Sequence, residues 1–212
     1  MEMITDPDQL MMLLAAPRIV FDLDGTLYDT RDFERPALVS VSNWLRLKSG
    51  LCLDGLPQML WSCRETDRHR PDLFDNALSR YGLPVSWGSE CARRFRNYCG
   101  FELRRSMSLK KHLETLRDAK CRLSLVSNGY AELQSRKLTM LGFDDTFDIR
   151  IYCDPRTPEQ LKPSPWAWTQ LAAWRAGLPT VYVGDDPVDA EFAIAGGVRF
   201  VKFCFRSSAY ED

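Results

Sequence analysis

The sequence is organised around the stretch RIVFDLDGTLYD, which spans residues 18–29. Its first four residues form a short, largely apolar run of strand-forming residues, and this pattern predicts a buried β-strand. Asp22 and Asp24 follow that run directly, and Gly25 and Thr26 come next. We therefore expect two carboxylates at the carboxyl end of a buried strand, which is where open α/β sheets bind their ligands.

The two aspartates repel each other unless something offsets their charge. Two carboxylates about 4 Å apart repel by about 1 kcal/mol in water and by about 4 kcal/mol at an effective dielectric near 20. A pair of this kind therefore needs a bound cation, a shared proton or a catalytic purpose. The alternative interpretation is an ordinary turn at the end of a strand, where Asp-Gly is common.

The bulk composition is that of an ordinary globular protein. The 212 residues carry a net charge of −1 and 45% of them are apolar, which allows a sizeable core. The charge lacks the basic excess of nucleic-acid-binding proteins, so we expect no nucleic-acid partner. Seven cysteines, an odd number without a C-x-x-C pair, argue against a disulfide framework and a zinc site and fit a reducing compartment.

One apolar stretch, at residues 10–16, needs to be weighed as a membrane span or a secretory leader. It is too short to cross a bilayer. Acidic rather than basic residues precede it, which does not fit a signal peptide. We therefore predict a cytoplasmic protein without membrane association.

From residue 107 onward, helical and strand patterns alternate. Ser164 and Pro165 predict the start of one helix and Gly177 its end. Other helices are predicted around 109–116, at 131–141 and up to 195, and strands at 123–126, 149–152, 181–183 and 198–205. This alternation predicts an α/β fold built on a doubly wound, Rossmann-like parallel sheet with helices on both faces.

Residues 30–106 have a different pattern, since no strand-like run interrupts them. Amphipathic helical segments are predicted around 36–48, 56–67, 72–81 and 89–98, with Gly or Pro between them. We therefore predict a catalytic α/β core formed by residues 1–29 and 107–212. An all-helical cap domain, residues 30–106, is inserted into it.

Polar clusters follow several predicted strands, and in a doubly wound sheet such ends meet in one crevice. The clusters are Asp22 with Asp24, Ser127 with Asn128, Lys162 a little beyond a strand, and Asp185 with Asp186 and Asp189. Their order and spacing resemble the four motifs of the haloacid dehalogenase superfamily of hydrolases. That family also carries a helical cap inserted after its first motif, so the resemblance covers nearly the whole chain.

The resemblance implies a role for three of these residues. Asp22 is expected to be the nucleophile that attacks phosphorus and forms an aspartyl-phosphate. Asp24 is expected to protonate the leaving oxygen and later to deprotonate water, which contributes roughly 10²–10⁴ in rate. Lys162 is expected to balance the charge of the carboxylates and of the transferred phosphoryl group. Without the resemblance, the alternative for Lys162 is a solvated side chain, as is usual for a lysine before a proline in a loop.

The resemblance also implies a magnesium site. Asp185 is expected to bind Mg²⁺ together with the Asp22 carboxylate and the backbone carbonyl of Asp24, because hard oxygen ligands suit this ion. Asp189 is expected to orient the lysine or a bound water from behind the site. Asp186 has two open interpretations, one at the metal and one as an acidic residue at a helix N-terminus.

A phosphate group is expected to bind beside the metal. Ser127 and the backbone N–H of Asn128 are predicted to hold a phosphate oxygen at the start of the following helix. Gly25, Thr26 and Lys162 are predicted to complete this site. Taken alone, Ser-Asn-Gly is also a common turn.

These expectations predict a Mg²⁺-dependent phosphohydrolase that acts on a small phosphorylated metabolite, such as a nucleoside monophosphate or a sugar phosphate. Asp24 argues against carbon–halogen chemistry, because the dehalogenases of the family lack this second aspartate. A local similarity to the nucleoside 5′-monophosphatase and acylneuraminate 9-phosphatase branch lies in residues 127–129, 132–134, 137–138, 142–143 and 147–148. The alternatives are a phosphomutase of the same superfamily and a non-catalytic binding or regulatory protein. The sequence does not fix the substrate or the oligomeric state.

Overall fold

The protein divides into two compact units. The computed structural model describes residues 8, 16–67, 72–100, 102–104 and 106–206, so most of the apolar stretch at 10–16 lies outside the described residues. One unit, here the α/β unit, comprises Met1–Asp29 and Leu103–Asp212, and the helical unit comprises Thr30–Glu102. Within the described part of the chain, no helix has the length and apolar character needed to cross a membrane.

A five-stranded parallel sheet forms the centre of the α/β unit. Its strands are β1 (Arg18–Phe21), β2 (Arg122–Asn128), β3 (Ile149–Cys153), β4 (Thr180–Gly184) and β5 (Arg199–Lys202). The strand order is β3-β2-β1-β4-β5, so β1 lies in the middle and pairs with β2 and β4. The register aligns Phe21 with Leu125 and with Val183, which brings the carboxyl ends of the three central strands to one edge.

Helices connect these strands as the alternating pattern predicts. In the numbering used here they are α5 (Met107–Asp118), α6 (Ala131–Leu141), α7 (Trp166–Gln170), α8 (Ala172–Arg175) and α9 (Pro187–Ala195). Ile19, Val20 and Phe21 alternate between the two faces of the sheet, yet all three are completely buried, which requires cover on both faces. The predicted doubly wound α/β fold is confirmed.

Two predicted elements differ from the structure. The single helix expected between Ser164 and Gly177 is wrong, because α7 and α8 meet at Leu171, whose backbone (φ −88°, ψ −2°) leaves the regular helix. The Leu171 side chain is completely buried, so the break lies in the packed interior of the unit. The predicted strand 198–205 ends early as β5, because the Phe205 N–H donates to the Gly25 carbonyl at 2.8 Å instead of continuing the sheet.

An aromatic core joins one face of the sheet to α7 and α9. Trp168 of α7 stacks on Phe192 of α9 with ring centroids 4.6 Å apart, and its Nε1 donates to the Phe192 carbonyl at 2.7 Å. Tyr182 of β4 meets both rings edge-on. These contacts fix α9, which follows the acidic residues after β4, against the sheet.

The helical unit has a core of its own. It consists of α1 (Arg31–Ser49), α2 (Leu56–Thr66), α3 (Leu73–Arg80) and α4 (Gly88–Arg96), with a 3₁₀ turn at Val85–Trp87. Leucines from several of these helices, among them Leu45, Leu60 and Leu78, are buried together. Gly50 ends α1 in the left-handed conformation (φ 69°), which glycine adopts without the steric cost of a Cβ.

We expect Phe192→Ala to lower the free energy of unfolding by about 3–5 kcal/mol, because it removes the ring that stacks on Trp168 and leaves a cavity. Ile194→Ala on the same helix is the matched control, since Ile194 is exposed and its truncation is expected to stay within about 0.5 kcal/mol. Chemical denaturation of both variants measures the difference. Equal effects at the two positions would contradict the described packing of α9.

Candidate active site

The carboxyl ends of β1 and β4 bring three carboxylates together. The Asp22 N–H donates to the Val183 carbonyl at 2.9 Å, so the first residue after β1 is still held by β4. Asp185 follows β4 directly, and Asp189 lies in the first turn of α9. One carboxylate oxygen from each of Asp22, Asp185 and Asp189 lies within 4.8 Å of the other two.

Lys162 places a buried positive charge in this cluster. Its Nζ donates to Asp22 Oδ1 at 2.6 Å and to Asp189 Oδ1 at 2.6 Å, and the lysine side chain is only 4% exposed. It also donates to the Tyr182 hydroxyl at 2.9 Å. The structure therefore brings the sequence-predicted lysine into direct contact with the predicted nucleophile, rather than leaving it solvated.

Burial and charge act in opposite directions on this ion pair. Burial is the main cause that raises the pKa of Asp22, the ammonium of Lys162 opposes it, and the nearby carboxylates of Asp189 and Asp185 add to the increase. The resulting pKa of Asp22 lies well above its usual range. Burial alone would lower the pKa of Lys162, but Asp189 and Asp22 outweigh it and hold the lysine charged. The three carboxylates lie close enough together for their oxygens to hold a cation.

The hydrogen bonds of Asp189 show that it anchors its neighbours. Its Oδ1 accepts from Lys162 and from the Tyr182 hydroxyl, the latter at 2.9 Å. Its Oδ2 accepts from the backbone N–H groups of Asp185 and Asp186 at 3.1 and 3.2 Å. Both oxygens are thus engaged by protein donors, so Asp189 is a weaker candidate for a metal ligand than Asp22 or Asp185.

Gly25 allows the loop after β1 to approach Asp185. Its φ of 86° lies in the left-handed region, and a Cβ added there would lie 2.2 Å from Asp185 Oδ2. The Thr26 hydroxyl donates weakly to Asp185 Oδ1 at 3.5 Å, and the Thr26 side chain is completely buried. The Thr26 N–H donates to the Leu23 carbonyl at 3.3 Å, so Thr26 holds the loop together rather than lining an open surface.

Asp186 begins α9 as its N-cap. Its Oδ1 accepts from the Val188 N–H at 2.9 Å, and Asp189 reciprocates by accepting from the Asp186 N–H, which completes a capping box. Of the two interpretations that the sequence left open for Asp186, the structure supports the helix-terminal one.

Ser127 and Asn128 are the last two residues of β2, and they lie beside the loop that carries Lys162. Asn128 Nδ2 donates to the Lys162 carbonyl at 3.2 Å, while the Lys162 N–H donates to Asn128 Oδ1 at 2.8 Å. This reciprocal pair fixes the backbone of Lys162, a contribution of the Asn128 side chain that the sequence did not reveal. The buried Ser127 hydroxyl accepts from Gln134 Nε2 at 2.9 Å.

Asp24 lies apart from the three clustered carboxylates and has partners that the sequence analysis missed. Its Oδ1 accepts from Lys137 Nζ at 2.6 Å and from the Tyr28 hydroxyl, and its Oδ2 accepts from Gln134 Nε2 at 2.6 Å. The sequence did contain a signal for these partners. Gln134 and Lys137 lie on the same side of the predicted helix as Leu138, and polar side chains on the buried side of a helix need hydrogen-bond partners.

The fold and these contacts define a class of protein, namely α/β enzymes with a carboxylate–lysine centre at the carboxyl edge of a parallel sheet. The family model for haloacid dehalogenase-like hydrolases matches residues 18–197. The chain belongs to this family, which confirms the resemblance drawn from the four motifs.

Individual relatives agree with this assignment. A phosphoglycolate phosphatase from Cereibacter sphaeroides is 27% identical over 194 residues, which cover 88% of this chain and 84% of that protein. A glyceraldehyde 3-phosphate phosphatase from Pyrococcus abyssi is 30% identical over 142 residues, 64% of this chain and 59% of that enzyme. A haloacid dehalogenase-like hydrolase from Streptococcus pneumoniae has the same fold, with a TM-score of 0.61, 18% identity and coverage of 91% and 87%.

Proposed function

We propose that the protein is a Mg²⁺-dependent phosphatase that hydrolyses a small phosphorylated metabolite through an aspartyl-phosphate on Asp22. The observation that carries this proposal is the Asp22 carboxylate, which is 5% exposed yet held at 2.6 Å by the charged Lys162 at the end of the central strand. Membership of the hydrolase family and the phosphatase activities named for the two relatives support it.

In the first half of the reaction, the phosphoryl group moves to the protein. An Asp22 carboxylate oxygen forms a bond to phosphorus with its own electron pair, and the bond between phosphorus and the ester oxygen breaks. Asp24 gives a proton to that departing oxygen, so the alcohol leaves neutral. Lys162 balances negative charge at Asp22 as the phosphoryl group arrives.

In the second half, water returns the protein to its starting state. Asp24 removes a proton from a water molecule, whose oxygen forms a bond to phosphorus. The bond between phosphorus and Asp22 breaks, and its electron pair restores the carboxylate. Inorganic phosphate is released, and Asp24 is left protonated for the next cycle. A phosphomutase would share the first half and then return the phosphoryl group to an organic substrate.

The residues present fit a magnesium ion. Asp22 and Asp185, with the backbone carbonyl of Asp24, would hold it through oxygen atoms alone, which suits Mg²⁺ rather than zinc. The convergence of carboxylate oxygens within 4.8 Å of one another and the close approach of Gly25 to Asp185 favour this assignment. When bound, such an ion neutralises charge on the phosphoryl oxygens.

Phosphate binding is proposed for the loops around this centre. Ser127, the backbone N–H of Asn128, Gly25 and Lys162 would hold phosphoryl oxygens. The buried Thr26 would support this loop through its N–H to the Leu23 carbonyl and its hydroxyl beside Asp185. The Ser127 hydroxyl is buried and already hydrogen-bonded to Gln134, so in this proposal it contributes as a fixed group. Fixed donors need no rearrangement when charge develops on the oxygens.

The helical unit, Thr30–Glu102, is proposed to be the cap that selects the substrate. A cap excludes water during phosphoryl transfer and admits it afterwards. A nucleoside monophosphate and a sugar phosphate remain the proposed substrate classes, to which the relatives add phosphoglycolate and glyceraldehyde 3-phosphate as compounds to test. Cytoplasmic location and the lack of a nucleic-acid or membrane partner remain predictions from composition.

Neighbouring aspartates allow a matched test of the metal assignment. We expect Asp185→Ala to raise the Mg²⁺ concentration needed for half-maximal phosphate release by about 10-fold or more. Loss of a residue that only hydrogen-bonds to a metal ligand already lowers metal affinity by about 10–100-fold, and Asp185 is proposed as a direct ligand. Asp186→Ala is expected to leave that midpoint unchanged and to lower the free energy of unfolding by about 0.5–2 kcal/mol through loss of the N-cap. A Mg²⁺ titration and chemical denaturation measure both effects. Identical Mg²⁺ midpoints for the two variants would remove Asp185 from the metal site.

The reaction itself is tested by phosphate release from a panel of nucleoside monophosphates, sugar phosphates, phosphoglycolate and glyceraldehyde 3-phosphate. We expect Mg²⁺-dependent release from at least one compound and its loss in Asp22→Asn, which keeps the shape of the side chain but removes the nucleophilic charge. Asp118→Asn, on an exposed position of α5, is the control and is expected to match wild type.

Three results would contradict this proposal. Near wild-type turnover by a folded Asp22→Asn would remove Asp22 as the nucleophile. Isomerisation of a sugar phosphate with little free phosphate would identify a phosphomutase. No turnover of any phosphate ester by wild type would favour the non-catalytic alternative.

A further inference from the structure

Helix α6 holds Asp24 through two buried side chains that none of the four motifs includes. Lys137 Nζ donates to Asp24 Oδ1 at 2.6 Å, and Gln134 Nε2 donates to Oδ2 at 2.6 Å. Lys137 is 4% exposed and Gln134 is 1% exposed, whereas the Asp24 side chain is 22% exposed. Each oxygen of the carboxylate therefore receives a hydrogen bond from a different residue of one helix, which fixes the orientation of its plane.

The Gln134 amide also connects Asp24 to the proposed phosphate site. Its Nε2 lies 2.9 Å from the Ser127 hydroxyl and 3.3 Å from the Asn128 carbonyl, both at the end of β2. Its other atom, Oε1, is buried without a hydrogen-bond partner among the described residues. A buried acceptor without a partner reduces stability, so packing alone does not explain a glutamine here.

Lys137 occupies a position where an apolar residue is expected. It lies on the stripe of α6 that includes the buried Leu138 and Leu141, and its Nζ also lies 5.6 Å from the centroid of the Tyr28 ring. Tyr28 itself donates to Asp24 Oδ1. Three side chains thus direct donors at one carboxylate, which is therefore bound as an acceptor.

We propose that Lys137 and Gln134 are positioning residues of the hydrolytic half-reaction. They hold the Asp24 carboxylate in the orientation in which it removes a proton from the attacking water. Neither residue gains or loses a proton. The water O–H bond breaks and its proton goes to Asp24, and the water oxygen bonds to phosphorus as the bond between phosphorus and Asp22 breaks and its electron pair restores the Asp22 carboxylate. This inference rests on the proposed function, because Asp24 has this role only if Asp22 carries a phosphoryl group.

A positioning role for Lys137 and a purely structural role predict different effects on the two steps of the reaction. A structural defect would slow formation and hydrolysis of the aspartyl-phosphate together. p-Nitrophenyl phosphate has a leaving group that departs without protonation, so formation of the aspartyl-phosphate from it needs little from Asp24. Hydrolysis of the aspartyl-phosphate still needs the positioned base. Loss of Lys137 should therefore slow the second step much more than the first.

The test is stopped-flow measurement of p-nitrophenol release by wild type and Lys137→Met at saturating Mg²⁺. We expect Lys137→Met to lower the steady-state rate by about 10–100-fold, a part of the roughly 10²–10⁴ that a positioned base contributes. The first turnover should stay close to the wild-type rate, so that a burst equal to the enzyme concentration appears. Lys111→Met, the same change on an exposed position of α5, is expected to match wild type.

Two further variants separate positioning from folding. Gln134→Met removes the donor to Oδ2 and the buried Oε1 without a partner, so it is expected to fold and to show the same burst with a smaller effect. In an Asp24→Asn background, Lys137→Met is expected to cause no additional loss, because it acts through Asp24. Thermal unfolding of each variant checks its fold.

Several outcomes would overturn the inference. The first is an equal loss of rate in the first turnover and in the steady state. The second is an unchanged steady-state rate in folded Lys137→Met and Gln134→Met. The third is a further loss of rate from Lys137→Met in the Asp24→Asn background. If wild type releases phosphate and Asp22→Asn does not, such outcomes reject the role of α6 alone. If wild type releases neither p-nitrophenol nor phosphate, the proposed function fails and the role of α6 fails with it.

Discussion

The candidate active centre depends on one buried ammonium group shared between two carboxylates. Lys162 Nζ lies 2.6 Å from Asp22 and 2.6 Å from Asp189, and all three side chains are buried. Removing one partner of a buried ion pair costs about 3–5 kcal/mol, because it leaves an uncompensated charge in the interior. The lysine therefore ties together the end of β1, the loop before α7 and the first turn of α9, and the geometry of the proposed nucleophile follows from it.

The same network connects the site to the core of the sheet. Tyr182 hydrogen-bonds to Lys162 and Asp189 through its hydroxyl, while its ring packs against Trp168 and Phe192. The position of the lysine is thus set by aromatic packing on one side and by the reciprocal Asn128 hydrogen bonds on the other. A site held on rigid elements in this way keeps its donors in place before substrate binds.

Much of the centre could be predicted from the sequence, because apolar strand runs followed by acidic residues place carboxylates at one edge of a parallel sheet. For Asp186, the sequence left open a metal role and a place at a helix N-terminus, and the structure shows it as the N-cap of α9. The partners of Asp24 were not predicted, since Lys137 is 113 residues away and its contact depends on which stripe of α6 faces the sheet. The break at Leu171 was not predicted, because the start and stop signals at Ser164, Pro165 and Gly177 do not mark a position between them.

The most direct measurement is to quench the enzyme with acid during turnover and to locate the phosphoryl group by mass spectrometry of its peptides. We predict the added mass of one phosphoryl group on the peptide that contains Asp22, bound as an acyl phosphate that hydroxylamine removes. Asp22→Asn should lack this adduct. A phosphoryl group on Ser127 or another residue, or steady phosphate release without any covalent adduct even when the second step is slowed, would contradict the assignment of Asp22 as the phosphoryl acceptor.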